Sequence, residues 1–371
     1  MKSAIVSVIN DLSTDQRVHK TCMTLHKMGY SVTLVGRRQR NSLPLAARDY
    51  ATKRMFLLFE KGPLFYAEYQ FRLLLYLLLH KSKILISNDL DTLLPNFIVS
   101  RLKSAILIYD THELFCEVPE LQNNTQKRRI WKSVEQWIFP KLKYVFTVNS
   151  SIAKIYTDEY KVNVKVVRNI PSYDSRTETV SKSELNLPID KKIIVLQGAG
   201  INVDRGAEEA VEAMQFVNNA ILLIIGSGDV LDKLKQMVND LKLENNVKFI
   251  GKVPLEKLMQ YTSVADLGLT LDKDTNANYR FSLPNKLFNY IHAGVPVLSS
   301  NLVEIRKIIT HYRIGDCIQS HTPQHIADKI NGIFQDEETL QIWKKNTKIA
   351  AAELSWEKEE QQLIAVYRQF L

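Results

Sequence analysis

The stretch "YRFSLPNKLFNYIHAGVPVLSS", residues 279–300, joins a helix start to the beginning of a buried strand. Pro284 and Lys286 open a helical pattern that ends in Ala-Gly-Val-Pro before a β-branched run. Proline suits the first turn of a helix because its missing N–H would be unpaired there in any case. Free amides, the positive end of the helix dipole and the Lys286 ammonium together predict an anion site that suits a diphosphate. A solvated lysine at a helix start is the simpler alternative.

A glycine-rich loop adds to this interpretation. The stretch "GAGINVDRGAEEAVEAM", residues 198–214, follows a predicted strand and opens a helix, with Arg205 at the helix start. Gly198, Gly200 and Gly206 would let the backbone approach a bound phosphate closely. The two stretches together therefore favour a phosphate-binding site over a solvated surface.

Short β-branched runs alternate with helical patterns along the whole chain. Eleven predicted strands lie at residues 3–9, 30–36, 83–89, 105–110, 144–150, 164–169, 191–198, 220–228, 247–253, 265–271 and 294–300. Apolar strands separated by helices indicate parallel sheets that are covered on both faces. A polar stretch at residues 171–190 divides the strands into two blocks. The sequence therefore predicts two doubly wound α/β domains with a cleft between them, and ligands at the carboxyl ends of the strands.

Length and cysteine content fit this picture. At about 150 residues per domain, a chain of 371 residues suggests two domains. Three cysteines in so long a chain provide neither a disulfide framework nor metal-ligand spacing, so we expect a cytoplasmic protein. The start "MKSAIVSVINDLS" is interpreted as a first buried strand and not as a signal peptide.

The positive charge is concentrated in the first half. Residues 1–170 contain 26 Lys and Arg against 14 Asp and Glu, a net charge of +12. Subtraction from the totals of 49 and 40 leaves 23 against 26, a net charge of −3, for the rest. This asymmetry suggests an anionic partner, namely a membrane surface, a phosphorylated acceptor or nucleic acid. A solvated lysine-rich surface is the alternative.

The longest apolar stretch, "FRLLLYLLLH" at residues 71–80, is too short to span a bilayer, which needs about 20 residues. We expect a helix that packs on the first sheet. A membrane-surface role is the alternative because several cations lie nearby in the sequence. These cations are Lys53, Arg54, Lys61, Arg72, Lys81 and Lys83.

The order of these motifs resembles that of a known family. From Lys191 onward, four motifs resemble, in type and order, those of the donor domain of family 4 retaining glycosyltransferases, which have the GT-B architecture. The motifs are strand–Gly-x-Gly, Val-x-Phe-x-Gly-x-Val, Ala-Asp and Pro-Asn-Lys-Leu-Phe-x-Tyr-x-x-Ala-Gly-x-Pro. In the first half, residues 10–38, "SNDLDTLLP" and "YDTHELF" resemble the family's loops at strand ends.

The resemblance implies a domain plan. Residues 1–170 would form a Rossmann-like acceptor-binding domain, residues 171–190 a linker and residues 191–354 a Rossmann-like donor-binding domain, with a central cleft between the domains. The stretch "SWEKEEQQLIAVYRQFL", residues 355–371, resembles the family's C-terminal helix, which crosses back to the first domain.

The resemblance also implies roles for individual residues. Arg205 and Lys286 would contact the donor diphosphate, and His112 would face the transferred sugar, so these three are the candidate catalytic residues. The candidate donor-binding residues are Gly198, Gly200, Arg205, Gly226, Gly228, Gly251, Val253, Pro284, Asn285, Lys286 and Asn289. The candidate acceptor-side residues are Asn10, Asp11, Asp15, Arg17 and Asp89.

Three positions depart from the family pattern. Phe281 and Asn289 occupy the places of two glutamates, of which the second binds ribose hydroxyls in many members. Asn289 can still hydrogen-bond a diol, although without the strength of a charge-assisted bond. Ala199 replaces a common basic residue, and the first loop lacks the usual pair of glycines. These departures indicate a divergent subgroup.

Two Asp-x-Asp triplets, Asp89–Asp91 and Asp272–Asp274, mimic the metal-binding motif of the other large transferase fold. A metal there would neutralise a leaving diphosphate. Because Arg205, Lys286 and the helix dipole can serve the same purpose, we interpret both triplets as helix-cap and loop features. We expect neither a divalent metal nor a cofactor.

These observations predict a hexosyltransferase-type enzyme. It would move a sugar, with retention, from a UDP- or GDP-sugar to a hydroxyl of a glycan or lipid-linked acceptor in cell-surface polysaccharide or lipopolysaccharide biosynthesis. Peripheral contact with the inner face of an anionic membrane would explain the basic first half. The alternatives are a catalytically weakened nucleotide-sugar-binding subunit and a non-hydrolysing sugar-nucleotide epimerase. A nucleic-acid partner is not expected, because the chain lacks aromatic–basic interleaving.

Overall fold

The computed structural model describes residues 2–13, 15–40, 42, 44–173 and 180–371. The chain divides into two compact units. Unit 1 comprises Met1–Asn169 and Lys358–Leu371, and unit 2 comprises Ile170–Glu357. Each unit contains one β-sheet with helices packed on it.

The sheet of unit 1 has seven parallel strands within the described residues, in the order β3-β2-β1-β4-β5-β6-β7. Its strands are β1 (Ser3–Asp11), β2 (Ser31–Arg38), β3 (Ala51–Phe56), β4 (Ile84–Asn88), β5 (Ile106–Thr111), β6 (Tyr144–Thr147) and β7 (Val164–Val166). Its helices up to the end of β7 are α1 (Gln16–Lys27), α2 (Gly62–Leu79), α3 (Leu90–Lys103), α4 (Pro119–Gln122), α5 (Thr125–Ile138) and α6 (Ser150–Tyr160). The order is that of a doubly wound Rossmann-like sheet.

The sheet of unit 2 has six parallel strands within the described residues, in the order β10-β9-β8-β11-β12-β13. Its strands are β8 (Lys192–Gly198), β9 (Ala220–Gly226), β10 (Val247–Ile250), β11 (Leu267–Thr270), β12 (Val297–Ser300) and β13 (Gly315–Ile318). The remaining helices are α7 (Ala207–Ala213), α8 (Leu231–Asp240), α9 (Leu255–Ser263), α10 (Ala277–Arg280), α11 (Asn285–His292), α12 (Val303–Tyr312), α13 (Pro323–Gln335), α14 (Glu337–Glu353) and α15 (Trp356–Tyr367). This sheet repeats the doubly wound order of the first.

The predicted fold class, two Rossmann-like α/β domains, is confirmed by the two parallel sheets. All eleven predicted strands are present, but β3 and β13 were not predicted. Both are edge strands, and neither has the continuous apolar character of a strand buried on both faces. In β3 only Met55 is buried.

The core of unit 2 has two apolar layers, one on each face of its sheet, which explains why strands such as β9 are apolar throughout. The stretch predicted as a linker, residues 171–190, lies in unit 2 and contributes Leu185 and Leu187 to one of these layers. Residues 174–179 of that stretch lie outside the described residues.

The end of the chain belongs to unit 1. Within α15, Glu359 pairs with Arg168 at 2.6 Å, and Glu360 accepts a hydrogen bond from Thr24. The Tyr30 hydroxyl donates to the Tyr367 carbonyl oxygen at 2.9 Å. These contacts fasten α15 to the amino-terminal part of the chain.

Helix α2 contains residues 71–79 of the apolar stretch, with His80 as its C-cap, and packs on the sheet through its inner face, as predicted. Among the helices of the described residues, none is both long enough and apolar enough to cross a membrane.

Candidate functional site

Two of the predicted cationic residues meet at one buried carboxylate at the carboxyl edge of the unit 2 sheet. Asp272 follows β11 by two residues and is fully buried. Its carboxylate lies 2.6 Å from Arg205 Nη1 and 3.2 Å from Lys286 Nζ. The Thr270 hydroxyl donates a third bond to the same carboxylate, at 3.1 Å. Asp272 therefore fixes the positions of both cations.

The side chains of Arg205 and Lys286 remain partly exposed to solvent. The side chain of Arg205 is 28% exposed and that of Lys286 is 12% exposed. The Arg205 guanidinium also stacks on the ring of Tyr279, with 4.1 Å from its central carbon to the ring centroid. Its Nε lies buried without a hydrogen-bond partner among the described residues.

Burial by itself would raise the pKa of Asp272, but Lys286 and Arg205 outweigh it and hold that pKa below its usual value. Burial opposes the charge of Arg205 as well, yet Asp272 raises the pKa of the guanidinium. Asp272 is therefore a carboxylate and Arg205 a guanidinium cation at neutral pH. One acidic and two basic side chains thus meet at the sheet edge.

Gly206 explains how Arg205 reaches Asp272. Its backbone has a φ of +74°, a left-handed conformation that favours glycine. A Cβ atom there would lie 2.2 Å from the Leu271 carbonyl oxygen. The turn before α7 can therefore press directly against the end of β11, next to Asp272.

The other predicted glycines fall into two groups. Gly226 permits the close approach of the ends of β8 and β9, where a Cβ atom would lie 1.8 Å from the Gly198 carbonyl oxygen. Gly228 permits that of the loops after these strands, where a Cβ atom would lie 2.0 Å from the Ile201 carbonyl oxygen. At Gly198 and Gly200 a Cβ atom would meet only ordinary contacts of 3.7 Å and 3.8 Å. Packing therefore demands glycine at the first pair, whereas at the second pair it leaves space beside the backbone.

The remaining predicted donor residues lie on or near α11 and β10. Pro284 occupies the N-cap position, so the helix begins one residue later than predicted, at Asn285. Asn289 lies half-buried in the second turn of α11. Gly251 follows β10 directly and is exposed, whereas Val253 packs against the core of unit 2. None of these residues contacts Asp272 through an ion pair or hydrogen bond in the described part of the chain.

In unit 1, a second charged cluster lies at the carboxyl ends of β4 and β5. Arg17 grips Asp110 with two nitrogens, at 2.6 Å and 3.2 Å, and donates to the Val167 carbonyl oxygen. His112 Nδ1 lies 3.2 Å from the Asp89 carboxylate, and its backbone N–H donates to the same group. Arg17, predicted on the acceptor side, is therefore a buried internal residue that holds Asp110.

The cluster changes the protonation of its members. Burial opposes the positive charge of His112, but the carboxylates of Asp89 and Asp110 raise its pKa to about 9. Burial likewise opposes the charge of Asp110, yet Arg17 and His112 hold its pKa well below the usual range. Asp89 has a φ of +58°, rare for a residue with a side chain, and burial raises its pKa. His112 is therefore a cation at neutral pH.

The residues of the predicted first loop lie at the end of β1 (Asn10 and Asp11), at the N-cap of α1 (Asp15) and within α1 (Arg17). Asp15 caps α1 by accepting from the Val18 N–H and also accepts from the Asn10 amide. Asp11 accepts from Arg54 Nη2 at 2.9 Å and from the Ser42 hydroxyl. Asn10 alone of the predicted residues in this loop is exposed.

The Asp-x-Asp triplets have different environments. In the triplet that contains Asp272, the second carboxylate, Asp274, forms an exposed pair with Arg280 at 2.9 Å. Asp89 stands at the N-cap position of α3, but its side chain does not cap the helix, because it serves His112. Asp91 is buried, and its pKa is raised well above the usual value by burial and by Asp89.

Sequence reasoning missed the two carboxylates that organise these clusters, Asp272 and Asp110. Each lies at or just after the carboxyl end of a parallel strand, the edge where α/β sheets bind their ligands. That position was the available signal. The stacking of Tyr279 on Arg205 had no signal in the sequence.

The raised pKa of His112 predicts a pH-dependent stability. Because the folded-state pKa of about 9 exceeds the ordinary 6.5, the protonated ring stabilises the fold below about pH 6.5 and this contribution is lost as pH rises through about 9. We expect the difference in unfolding free energy between wild type and His112→Asn to shrink across this interval, as measured by urea unfolding. The exposed His26→Asn serves as control. A ring that titrates near 6.5 by NMR would contradict the assignment.

Two family profiles cover most of the chain. The profile described as "Glycosyltransferase Family 4" matches residues 15–171, and that described as "Glycosyl transferases group 1" matches residues 179–350. The first falls within unit 1 apart from its last two residues, and the second falls within unit 2. Each unit therefore has its own family counterpart.

Individual relatives agree. A chitobiosyldiphosphodolichol beta-mannosyltransferase of Debaryomyces hansenii is 21% identical over 409 aligned positions, which cover 96% of this chain and 85% of that protein. The chain spans about half or less of three other curated relatives, with shares of 45%, 36% and 52% of their lengths.

Solved structures share the fold. Sucrose-phosphate synthase from Thermosynechococcus elongatus superposes with a TM-score of 0.81 at 16% identity, covering 100% of this chain and 99% of that one. Anabaena HepE in complex with UDP-glucose superposes with a TM-score of 0.74 at 15% identity, covering 100% of both chains. The chain belongs to the family 4 glycosyltransferases and has the GT-B fold.

Proposed function

We propose that the protein transfers a sugar from a nucleotide-sugar donor to a hydroxyl of a glycan or lipid-linked acceptor. The observation that carries this proposal is the convergence of Arg205 and Lys286 on the buried Asp272. The three groups lie at the carboxyl edge of a doubly wound sheet, where such folds bind nucleotides. Because the chain belongs to a glycosyltransferase family, we propose that this cluster takes part in sugar transfer.

In this reaction the leaving group is a nucleoside diphosphate, and negative charge develops on it as the glycosidic bond breaks. Groups that are already positioned before the reaction stabilise this charge most effectively. Asp272 positions both cations, and the side chain of Arg205 keeps 28% of its surface exposed. The Leu287 N–H of the first turn of α11 donates to the Pro284 carbonyl oxygen, whereas the N–H groups of Asn285 and Lys286 have no backbone acceptor among the described residues and add further donors.

His112 would act on the sugar as a donor of hydrogen bonds. With its pKa at about 9, the ring is protonated at neutral pH and is unsuited to accept a proton. Its Nε2 is buried and lies 3.7 Å from the Asp110 carboxylate, within ion-pair range but beyond hydrogen-bond distance. We propose that the reaction retains the configuration at the anomeric carbon. In this reaction the phosphate oxygen of the leaving group would accept the proton of the acceptor hydroxyl. We also propose that two fixed cations make a divalent metal unnecessary.

The names of similar proteins support the choice of substrates. HepE has been solved with UDP-glucose, and the Debaryomyces relative is named as a mannosyltransferase of a diphosphodolichol-linked sugar. We therefore propose a UDP- or GDP-sugar as donor and a lipid-linked or glycan acceptor of cell-surface polysaccharide or lipopolysaccharide. The basic unit 1, with a peripheral position at the inner face of a membrane, suits an acceptor that carries phosphate.

Calorimetry with UDP-, GDP- and ADP-sugars in the presence of EDTA tests this proposal. We expect one nucleotide class to bind the wild type, and Lys286→Ala to weaken binding at least tenfold, or by about 1.4 kcal/mol, because the variant removes one of two fixed cations. Lys307→Ala is the matched control, since Lys307 pairs with Glu304 near the start of α12, another helix of unit 2. Absence of binding by every class would remove the donor-site assignment.

Asn289 favours a second candidate, a weakened subunit that binds nucleotide sugar without turnover. It stands on α11 at the position where the family's second glutamate is expected. Tight binding without release of nucleoside diphosphate in the presence of acceptors would favour this candidate. Conversion of the nucleotide sugar without any acceptor would instead indicate an epimerase.

A further inference from the structure

Helix α2 has two apolar faces, and only one of them packs on the protein. Its inner face carries Phe65, Tyr69, Leu73 and Leu77 at every fourth position. These residues are buried against strands of the unit 1 sheet, with Ile5, Val35 and Leu85 among their neighbours. The inner face alone therefore accounts for the attachment of α2 to the sheet.

The outer face of α2 carries Leu64, Phe71, Leu75, Leu78 and Leu79, all exposed, with the mostly buried side chain of Glu68 on the same side of the helix. Phe71 is 61% exposed and Leu79 is 80% exposed. At 100° per residue these side chains fall within one broad arc of the helix. Leu58 and Phe59, just before the helix, are exposed as well. An 18-residue helix is about 27 Å long, so the apolar surface extends well beyond the isolated exposed leucines of ordinary proteins.

The carboxylates near the outer face are already neutralised. Glu68 accepts from two backbone N–H groups of the preceding loop and pairs with Arg72 at 2.8 Å. Glu60 pairs with Arg40. Lys61, at the N-cap of α2, and Lys81, two residues after its end, are exposed and have no carboxylate in ion-pair range within the described residues. The margin of the outer face is therefore positive.

A basic cavity lies beyond the carboxyl end of α2. Lys103, the last residue of α3, donates to the Leu77 and Leu78 carbonyl oxygens and so joins the ends of the two helices. The same end of α3 carries Arg101, which lines a cavity of about 370 Å³ together with Lys141 and Lys143. These three cations are exposed and likewise have no carboxylate partner in the described part of the chain. Leu102 is exposed between Arg101 and Lys103.

We propose that the outer face of α2 docks on an anionic lipid bilayer. The leucines and Phe71 would enter the boundary between headgroups and acyl chains, as the apolar face of an interfacial helix does. Lys61, Lys81 and the cations of the cavity would contact lipid phosphates. The inner face stays packed on the sheet, so docking requires no unfolding of α2.

The positive charge around the outer face favours an anionic bilayer over a second copy of the chain as its binding partner. In a two-fold symmetric dimer the same patch meets itself, so the basic margins of two copies would face each other. An anionic bilayer instead supplies charge of the opposite sign. The net charge of unit 1 agrees, because residues 358–371 add two cations and two carboxylates and leave it at +12.

Vesicle flotation tests this proposal with the full chain. We expect binding to vesicles that contain about 30% phosphatidylglycerol in phosphatidylcholine, weakened at least tenfold when phosphatidylglycerol is omitted. A variant of the outer face, Phe71→Gln with Leu75→Gln and Leu79→Gln, should lose at least tenfold in partitioning. A variant of the cavity, Arg101→Gln with Lys141→Gln and Lys143→Gln, should also lose at least tenfold in partitioning to vesicles.

The matched control, Ile342→Gln with Ile349→Gln, removes two exposed apolar side chains from α14 of unit 2 and should bind vesicles like the wild type. Circular dichroism melting confirms that each variant is folded. Failure of the wild type to float, or equal flotation of the outer-face variant, would overturn the proposal. A dimer in light scattering that the outer-face variant abolishes, without flotation, would assign the face to a second copy. Nucleotide binding is measured separately, so the two proposals can fail independently.

Discussion

Replacement of Asp272 by alanine should lower the free energy of unfolding by about 3–5 kcal/mol, the range typical for removal of one partner of a buried ion pair. Arg205 and Lys286 both lose their counter-ion and are left facing each other. The lower end of the range is expected, because water still reaches part of the Arg205 side chain. Urea unfolding followed by circular dichroism measures the change.

Asp274→Ala is the matched control for this experiment. Asp274 lies two residues further along the same triplet and pairs with Arg280, but both side chains are exposed. Exposed pairs contribute about 0–1 kcal/mol, so this variant should stay near the wild type. Equal losses in the two variants would show that Asp272 does not organise the two cations.

Arg17→Ala should destabilise unit 1 by a similar amount, about 3–5 kcal/mol. The variant leaves the buried carboxyl group of Asp110 without its two guanidinium bonds, and it frees the Val167 carbonyl oxygen. Arg17→Lys should restore only part of the loss, because an ammonium cannot reproduce the two-pronged geometry of a guanidinium. Thermal and urea unfolding provide the measurement.

Arg40→Ala tests whether loss of any arginine of unit 1 has this effect. Arg40 pairs with Glu60 at 3.6 Å, and both side chains are exposed. We expect a change within about 1 kcal/mol for this variant. If Arg17→Ala were equally mild, the cluster around His112 would not depend on a fixed Asp110.

The sequence was a good guide to the fold because buried parallel strands must be apolar along their whole length. It failed at β3 and β13, where an edge position exposes one side of the strand and permits polar residues such as Thr52, Lys53 and Asp316. The edge strands β7 and β10 were nevertheless predicted, because they keep apolar residues such as Val164, Val166 and Phe249. An edge position therefore permits the loss of the apolar pattern without requiring it.

The sites were predicted less completely. Arg205 and Lys286 could be placed by motif, but their common partner Asp272 is 67 residues from Arg205 in the sequence and becomes its neighbour only because β8 and β11 are adjacent. Arg17 shows a different difficulty. Its position near the end of β1 suggested a ligand contact, and the structure adds a pair with the buried Asp110, 93 residues away, for which the sequence carried no local signal. Sequence alone does not distinguish a charge that serves a ligand from one that serves another side chain.

The negative charge of Asp272 has a consequence for catalytic turnover. Two unopposed cations would bind the product diphosphate as strongly as they stabilise its formation, and the product would then inhibit the next cycle. The carboxylate of Asp272 lies beside both cations and stays charged, so it weakens their attraction for the product diphosphate. In the proposed reaction, Asp272 therefore favours departure of the spent nucleotide, a step that limits the rate of many enzymes.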